Sequence, residues 1–176
     1  TGVEIHEQLG AERMRRAESR SPVGPLSLLL VPIGGGGLLA GVAAAIRALS
    51  PETRIIGVEP EGAPKMRRSL DAGAPVTLDR VSTIADGLKP VRPGDLTFEH
   101  ARQLVDDVVL VDDDSIRRAV LWCYDRRLVV EPSGAATVAA LLSGLVTPAP
   151  TGETCALLSG GNLDPRLLAT WLEDAT

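Results

Sequence analysis

The sequence predicts an α/β fold of three layers, a mostly parallel, twisted sheet with helices on both faces, and three observations carry that prediction. Short apolar runs alternate with segments whose apolar residues recur at helical spacing, as where residues 26–33 are followed by Leu38, Val42, Ala45, Ile46 and Leu49. Clusters of glycine, proline and serine punctuate the alternation. The turns richest in unusual residues are Gly34-Gly35-Gly36-Gly37, Glu131-Pro132-Ser133-Gly134 and Ser159-Gly160-Gly161-Asn162, and they fall at the carboxyl ends of the strands, where such sheets gather ligands. At 176 residues the chain suffices for one domain, residues 1–176, which can withdraw roughly 70% of its unfolded surface from water.

Residues 1–19 read as an amphipathic helix opened by a T-x-x-E capping box of Thr1 and Glu4; an amino-terminal nucleophile is the alternative for Thr1, and the cap is the simpler reading. Ser21-Pro22-Val23-Gly24-Pro25 breaks the chain before a buried strand at 26–33. The helix after the glycines stops at Ser50-Pro51, and a second apolar strand at 54–58 completes a βαβ unit. Beyond Pro60 the pattern gives a helix over 64–71, an irregular stretch at 82–87, a helix over 96–105 and a strand at 108–111. Asp114 or Ser115 caps a helix that turns Ile116, Val120 and Cys123 inward, Ser133 caps another carrying Val138, Leu141 and Leu142, and the short apolar run 128–130 lies between them. A strand at 155–158 and a helix opened by Pro165 end the pattern, with no internal repeat, long linker or low-complexity tail.

Composition excludes several classes of function. A formal charge of −5, a pI near 5.1 and 2% aromatic residues offer a nucleic acid neither charge for its phosphates nor rings for its bases. Arg13, Arg15 and Arg16 are interleaved with Glu12 and Glu18, the pattern of a solvated helix face. Cys123 and Cys155 belong to no C-x-x-C pair, so two buried, reduced thiols and a cytoplasmic location are expected. Residues 26–46 carry no charge and are long enough to raise a membrane span, but Pro32 and the glycine run would break such a helix in its middle. No signal-peptide pattern opens the chain, and a start at Thr1 rather than Met leads us to expect a preceding segment.

Four successive glycines between strand and helix let the backbone approach a ligand closely, direct free N–H groups at it and set it on the positive end of a helix dipole. A tight structural turn needs only one or two glycines, so Gly34, Gly35, Gly36 and Gly37 read as a phosphate cradle. Gly35, Gly37 and Ala40 also satisfy G-x-G-x-x-A, and Glu59 ends the next strand at a distance suited to a ribose, which makes a dinucleotide-binding oxidoreductase the alternative. That alternative leaves the turns at Ser133 and Ser159 unexplained. A monophosphate cofactor whose ring needs polar partners uses all three turns.

The segments Val31-Pro32-Ile33-Gly34-Gly35-Gly36-Gly37-Leu38, Val58-Glu59-Pro60, Thr83-Ile84-Ala85-Asp86-Gly87, Glu131-Pro132-Ser133-Gly134 and Leu158-Ser159-Gly160-Gly161-Asn162 follow one another as in the serine/threonine dehydratases and serine racemases, which the chain resembles over nearly its whole length. The resemblance implies the carboxy-terminal part of the large cofactor domain of a fold type II pyridoxal 5′-phosphate enzyme, without its small substrate domain. It implies that Gly34, Gly35, Gly36 and Gly37 hold the cofactor phosphate, with Leu38 and Gly160 also in the cofactor site, Ser159 facing the pyridine nitrogen and Glu131 near the ring. A neutral hydroxyl on that nitrogen makes a weaker electron sink than an aspartate would, which suits elimination. The Asp86-Gly87 turn packs beside the cofactor in this reading, with Asp86 structural. In relatives with a divalent-cation site, Glu59 corresponds to a carboxylate ligand and Ala63 to a carbonyl ligand. Here Lys65 replaces the second carboxylate and would repel Mg²⁺ or Ca²⁺, so no metal is expected and Glu59 and Lys65 are expected to be paired or solvated.

Lys65 and Lys89 are the only lysines, and neither lies in the family's serine-x-lysine-x-arginine-glycine context. No catalytic residue is therefore assigned within the chain. The resemblance places the Schiff-base lysine and the asparagine-bearing substrate loop in an upstream segment or a second chain. The complete enzyme is expected to eliminate water and ammonia from L-threonine or L-serine to give 2-oxo acids, with dehydratase and racemase both open. The chain alone is expected to be inactive and, its sheet being truncated, to self-associate. A catalytically dead binding module is the third reading. Expected partners are a small amino-acid substrate, the lysine-bearing segment and further copies in a homo-oligomer, with neither nucleic acid nor membrane.

Overall fold

Leu28 and Leu30 turn to one face of strand β1 (Leu26–Pro32) and Leu29 and Val31 to the other, the period of two that an extended backbone imposes. Both faces are buried, which is why leucine fills consecutive positions instead of alternating with polar residues. Each leucine so buried contributes roughly 1.5–3 kcal/mol. The structure is a computed structural model that describes residues 1–16 and 23–174.

Around β1 the chain runs α1 (Gly2–Arg15), β1, α2 (Gly37–Leu49), β2 (Arg54–Pro60), α3 (Lys65–Ala72), a 3₁₀ turn at Asp86–Leu88, α4 (Asp95–Leu104), β3 (Asp107–Val111), α5 (Asp113–Asp125), α6 (Pro132–Leu142), β4 (Glu153–Ala156) and α7 (Pro165–Asp174). The strands lie in the order β3-β2-β1-β4 and pair in parallel throughout. Leu29, Val31 and Ile55 bury one face of the sheet against Ala43 and Ile46 of α2 and Phe98 of α4. Leu28, Leu30, Ile56 and Val58 bury the other against Ile116 and Val120 of α5 and Ala135 and Ala139 of α6, with Trp171 of α7 closing that layer. The three-layer α/β architecture expected from the sequence is therefore the observed one. Among the described residues no helix is long and apolar enough to cross a membrane.

Several local expectations are corrected. Helix α1 ends at Arg15; residues 17–19 of the longer helix expected there, and Ser21 and Pro22 of the break after it, lie outside the described residues. Thr1 is the N-cap of α1, but its hydroxyl makes no capping bond; Glu4 instead reaches the Thr1 amino group at 3.2 Å, so only the returning half of the capping box forms. On α2 the buried stripe is Leu39, Val42, Ala43 and Ile46, while Leu38 and Leu49 at the helix ends are exposed. Helix α5 is capped by Asp112, whose carboxylate accepts from both the Ser115 amide and the Ser115 hydroxyl at 2.7 Å, and not by Asp114 or Ser115. Its inward residues Ile116, Val120 and Cys123 are buried as expected.

Helix α6 has Glu131 at its N-cap and Pro132 at its first position, which moves Ser133 into the first turn. Between sheet and α5 the space suits small side chains: alanines fill it, Leu141 is half-buried, and Leu142 is exposed beyond it. The run 128–130 joins no strand ladder. Strand β4 starts and ends two residues earlier than expected, and Cys155 on it is only half-buried, whereas Cys123 is buried; both thiols are free.

Candidate functional site

The carboxyl end of β1 opens into a cleft of about 290 Å³ lined by Pro32, Gly34, Gly35, Gly36, Gly37 and Leu38 together with Gly87, Leu88, Glu131, Ser133 and Ser159. Four separate segments thus converge where β1, flanked by β2 and β4, hands the chain to α2, the place where parallel sheets hold ligands. Gly87 is tied into the wall by donating its N–H to Ser133 Oγ at 2.8 Å, which leaves the serine's own O–H free to donate. Glu131 is half-buried and Ser159 exposed in the same cleft.

The glycines of the loop answer to different demands. A Cβ on Gly34 would sit 2.7 Å from the Gly87 carbonyl, so loop and 3₁₀ turn pack backbone to backbone. Gly36 is the N-cap of α2 with φ of 94°, a left-handed conformation that L side chains resist. Gly35 and Gly37 have no such reason: a Cβ on either meets nothing within 4 Å. Their bareness keeps space clear in front of the start of α2. Among the described residues none accepts a hydrogen bond from the amides of Gly35, Gly36, Gly37 or Leu38, and the helix has no side-chain cap. Open amides, the positive end of α2 and cleared space together fit an anion the size of a phosphate.

Behind the loop, Glu59 and Lys65 are paired, with Lys65 Nζ 3.0 Å from Glu59 Oε1 and both side chains fully buried. The ammonium also donates to the carbonyls of Ile33 at 2.7 Å and Leu88 at 3.0 Å, with that of Ala63 at 3.4 Å. Glu59 accepts further from the amides of Met66 and Arg67, both at 2.9 Å. Burial pushes the Glu59 carboxyl above its ordinary value, against the pull of Lys65 and the two amides, and it lowers Lys65, against the pull of Glu59. Of the two states expected for this pair, the paired one is found. A Glu59 so engaged and fully buried presents no exposed oxygen to a ribose, which removes the acidic member of the dinucleotide fingerprint.

The structure gathers Gly34, Gly35, Gly36, Gly37, Leu38, Glu131 and Ser159 around one cleft. Gly160 lies behind Glu131 instead: its carbonyl accepts the Glu131 N–H at 3.0 Å, and a Cβ on it would come within 2.1 Å of Glu131 Oε1. Asp86 is exposed and pairs with Lys89. Neither Lys65 nor Lys89 lines the cleft. Sequence reasoning missed Thr97, whose hydroxyl donates to the Gly35 carbonyl at 2.8 Å from the first turn of α4. No motif marks it, because it acts on backbone 62 residues away.

The pyridoxal-phosphate dependent enzyme family model matches residues 1–160. An L-threonine ammonia-lyase of Geobacter sulfurreducens is 46% identical over 146 residues, covering 82% of this chain and 36% of that protein. Among solved structures, the T.th. threonine deaminase superposes with a TM-score of 0.80 at 40% identity, over 93% of this chain and 55% of that one. Maize serine racemase gives 0.75 at 36% identity, over 96% and 51%. The chain spans little more than a third of the length of that curated ammonia-lyase. With its first 160 residues inside the family model and its glycine loop at the carboxyl end of β1, the chain belongs to the pyridoxal-phosphate dependent enzymes.

Proposed function

We propose that the chain is the carboxy-terminal part of the cofactor domain of an ammonia-lyase that eliminates water and ammonia from L-threonine or L-serine to give a 2-oxo acid. The observation that carries this reading is the bare, open-amide loop Gly34–Gly37 sharing one cleft with Glu131, Ser133 and Ser159. The amides of Gly35, Gly36, Gly37 and Leu38 would hold the pyridoxal 5′-phosphate phosphate, helped by the α2 dipole. Ser159 would donate its hydroxyl hydrogen to the pyridine nitrogen without protonating it, and Glu131 would lie near the ring, positioned over Gly160. When bound, the cofactor supplies the electron sink that acidifies the amino acid's α-carbon.

The lysine that anchors the cofactor and takes the α-proton would come from outside this chain. Lys65 is committed to Glu59 and three carbonyls, and Lys89 pairs with Asp86 away from the cleft. The chain by itself is accordingly without ammonia-lyase activity. The test uses the full-length protein: it should carry bound pyridoxal phosphate, visible in its absorbance, and release 2-oxo acid from L-threonine or L-serine, while the isolated chain releases none. A full-length protein that binds no pyridoxal phosphate, or that binds it and leaves both amino acids intact, overturns the proposal.

A further inference from the structure

We propose that Thr97 is a positioning residue for the glycine cradle, pinning the Gly35 carbonyl on the far side of the loop and thereby turning the Gly36 amide toward the cleft. The inference rests on the reading of that loop as a phosphate cradle. A peptide unit is planar and trans, so a carbonyl and the N–H of the following residue point in opposite directions. The Gly35 carbonyl is held by Thr97 Oγ1 at 2.8 Å and by the Gly94 amide at 3.2 Å, both at the start of α4. Thr97 does not line the cleft. Its pull on the carbonyl therefore aims the next amide away from α4.

The preceding odd-numbered peptide is fixed in the same way. Lys65 Nζ holds the Ile33 carbonyl at 2.7 Å, which directs the Gly34 amide opposite to it. Two alternate carbonyls, Ile33 and Gly35, are thus tied from behind by a buried ammonium and a hydroxyl, and the amide that follows each, of Gly34 and of Gly36, is turned away from its tie. A glycine loop needs such ties, because bare residues that allow close approach also have the most backbone freedom to lose. Pre-orienting the amides removes that loss from the binding step.

Thr97 also lies 3.0 Å from the Gly94 carbonyl, so a role confined to the end of its own helix is the competing explanation. Three proteins separate the two: the full-length enzyme, Thr97→Val and Thr97→Ser, each freed of cofactor and titrated with pyridoxal 5′-phosphate and with pyridoxal, which lacks the phosphate. Thr97→Val should weaken pyridoxal 5′-phosphate roughly tenfold and leave pyridoxal within about twofold, and Thr97→Ser should restore the affinity. A selective loss under about threefold, an equal loss for pyridoxal, or no restoration by serine overturns the positioning role. Failure of the unsubstituted protein to bind either ligand would instead sink the cradle itself.

Discussion

Lys65 sits with no exposed surface among Glu59 and the carbonyls of Ile33, Ala63 and Leu88, four oxygen groups around a cation that has only protons to give. Removing the ammonium leaves Glu59 charged and buried with two amides as its only compensation. Lys65→Met in the full-length protein should therefore lower unfolding stability by about 3–5 kcal/mol, and the double substitution with Glu59→Gln should recover part of that loss. Urea denaturation of the single and double variants measures both; a single variant within about 1 kcal/mol of the parent would show that the pair contributes little. At this scale the residues Gly34, Gly35, Gly36, Gly37, Leu38, Glu131 and Ser159, which share one cleft, were legible because each lies in a short contiguous motif. The burial of Lys65 and the bond from Thr97 to the Gly35 carbonyl were not legible, because each depends on carbonyls that the fold brings from distant segments.

Helix α5 starts within a run of three aspartates and a serine, all competent caps, and only the backbone geometry selects Asp112 among them. Its carboxylate lies below the ordinary value of 3.8, chiefly through the Ser115 hydroxyl and then the Ser115 amide, so the folded state holds its ionised form preferentially. A lowered folded-state value means that the stabilisation is fully present above the ordinary carboxylate value and is lost as the pH falls below it, through the lowered folded-state value. Asp112→Ala should cost roughly 1 kcal/mol at neutral pH, whereas Asp112→Asn, also a good cap, should lose little there and flatten the acid limb of the stability profile. Thermal melts of the full-length protein from neutral pH into the acid range test the sign; an unchanged acid limb in Asp112→Asn would refute the assignment. The same ambiguity explains which elements could be read in advance. Strands buried on both faces announced themselves as apolar runs, but the run 128–130 did too. After Arg127, at a φ of 64°, it leaves α5 with only Val130 buried and finds no sheet partner.

Over the whole molecule, the sheet is closed on its two faces but not at its edge strands β3 and β4, and β4 pairs with β1 on one side and with no strand among the described residues on the other. Leu128 and Val129 are exposed, and so is Leu158; Gly160 accepts the Glu131 N–H, which sets the segments bearing these side chains next to each other. An unpaired edge beside exposed leucine and valine is the kind of surface by which chains associate. The net charge of −5 opposes association only weakly, since at physiological ionic strength its field is screened beyond about 8 Å. Produced by itself, the chain should therefore self-associate with rising concentration, and Val129→Lys, at a residue already 59% exposed, should shift it toward monomer without lowering its melting temperature. Light scattering coupled to size exclusion, run over a concentration series on both forms, reads the outcome directly. A monodisperse monomer throughout would mean that this edge is already shielded within the chain, and the apolar residues beside it would then be ordinary surface.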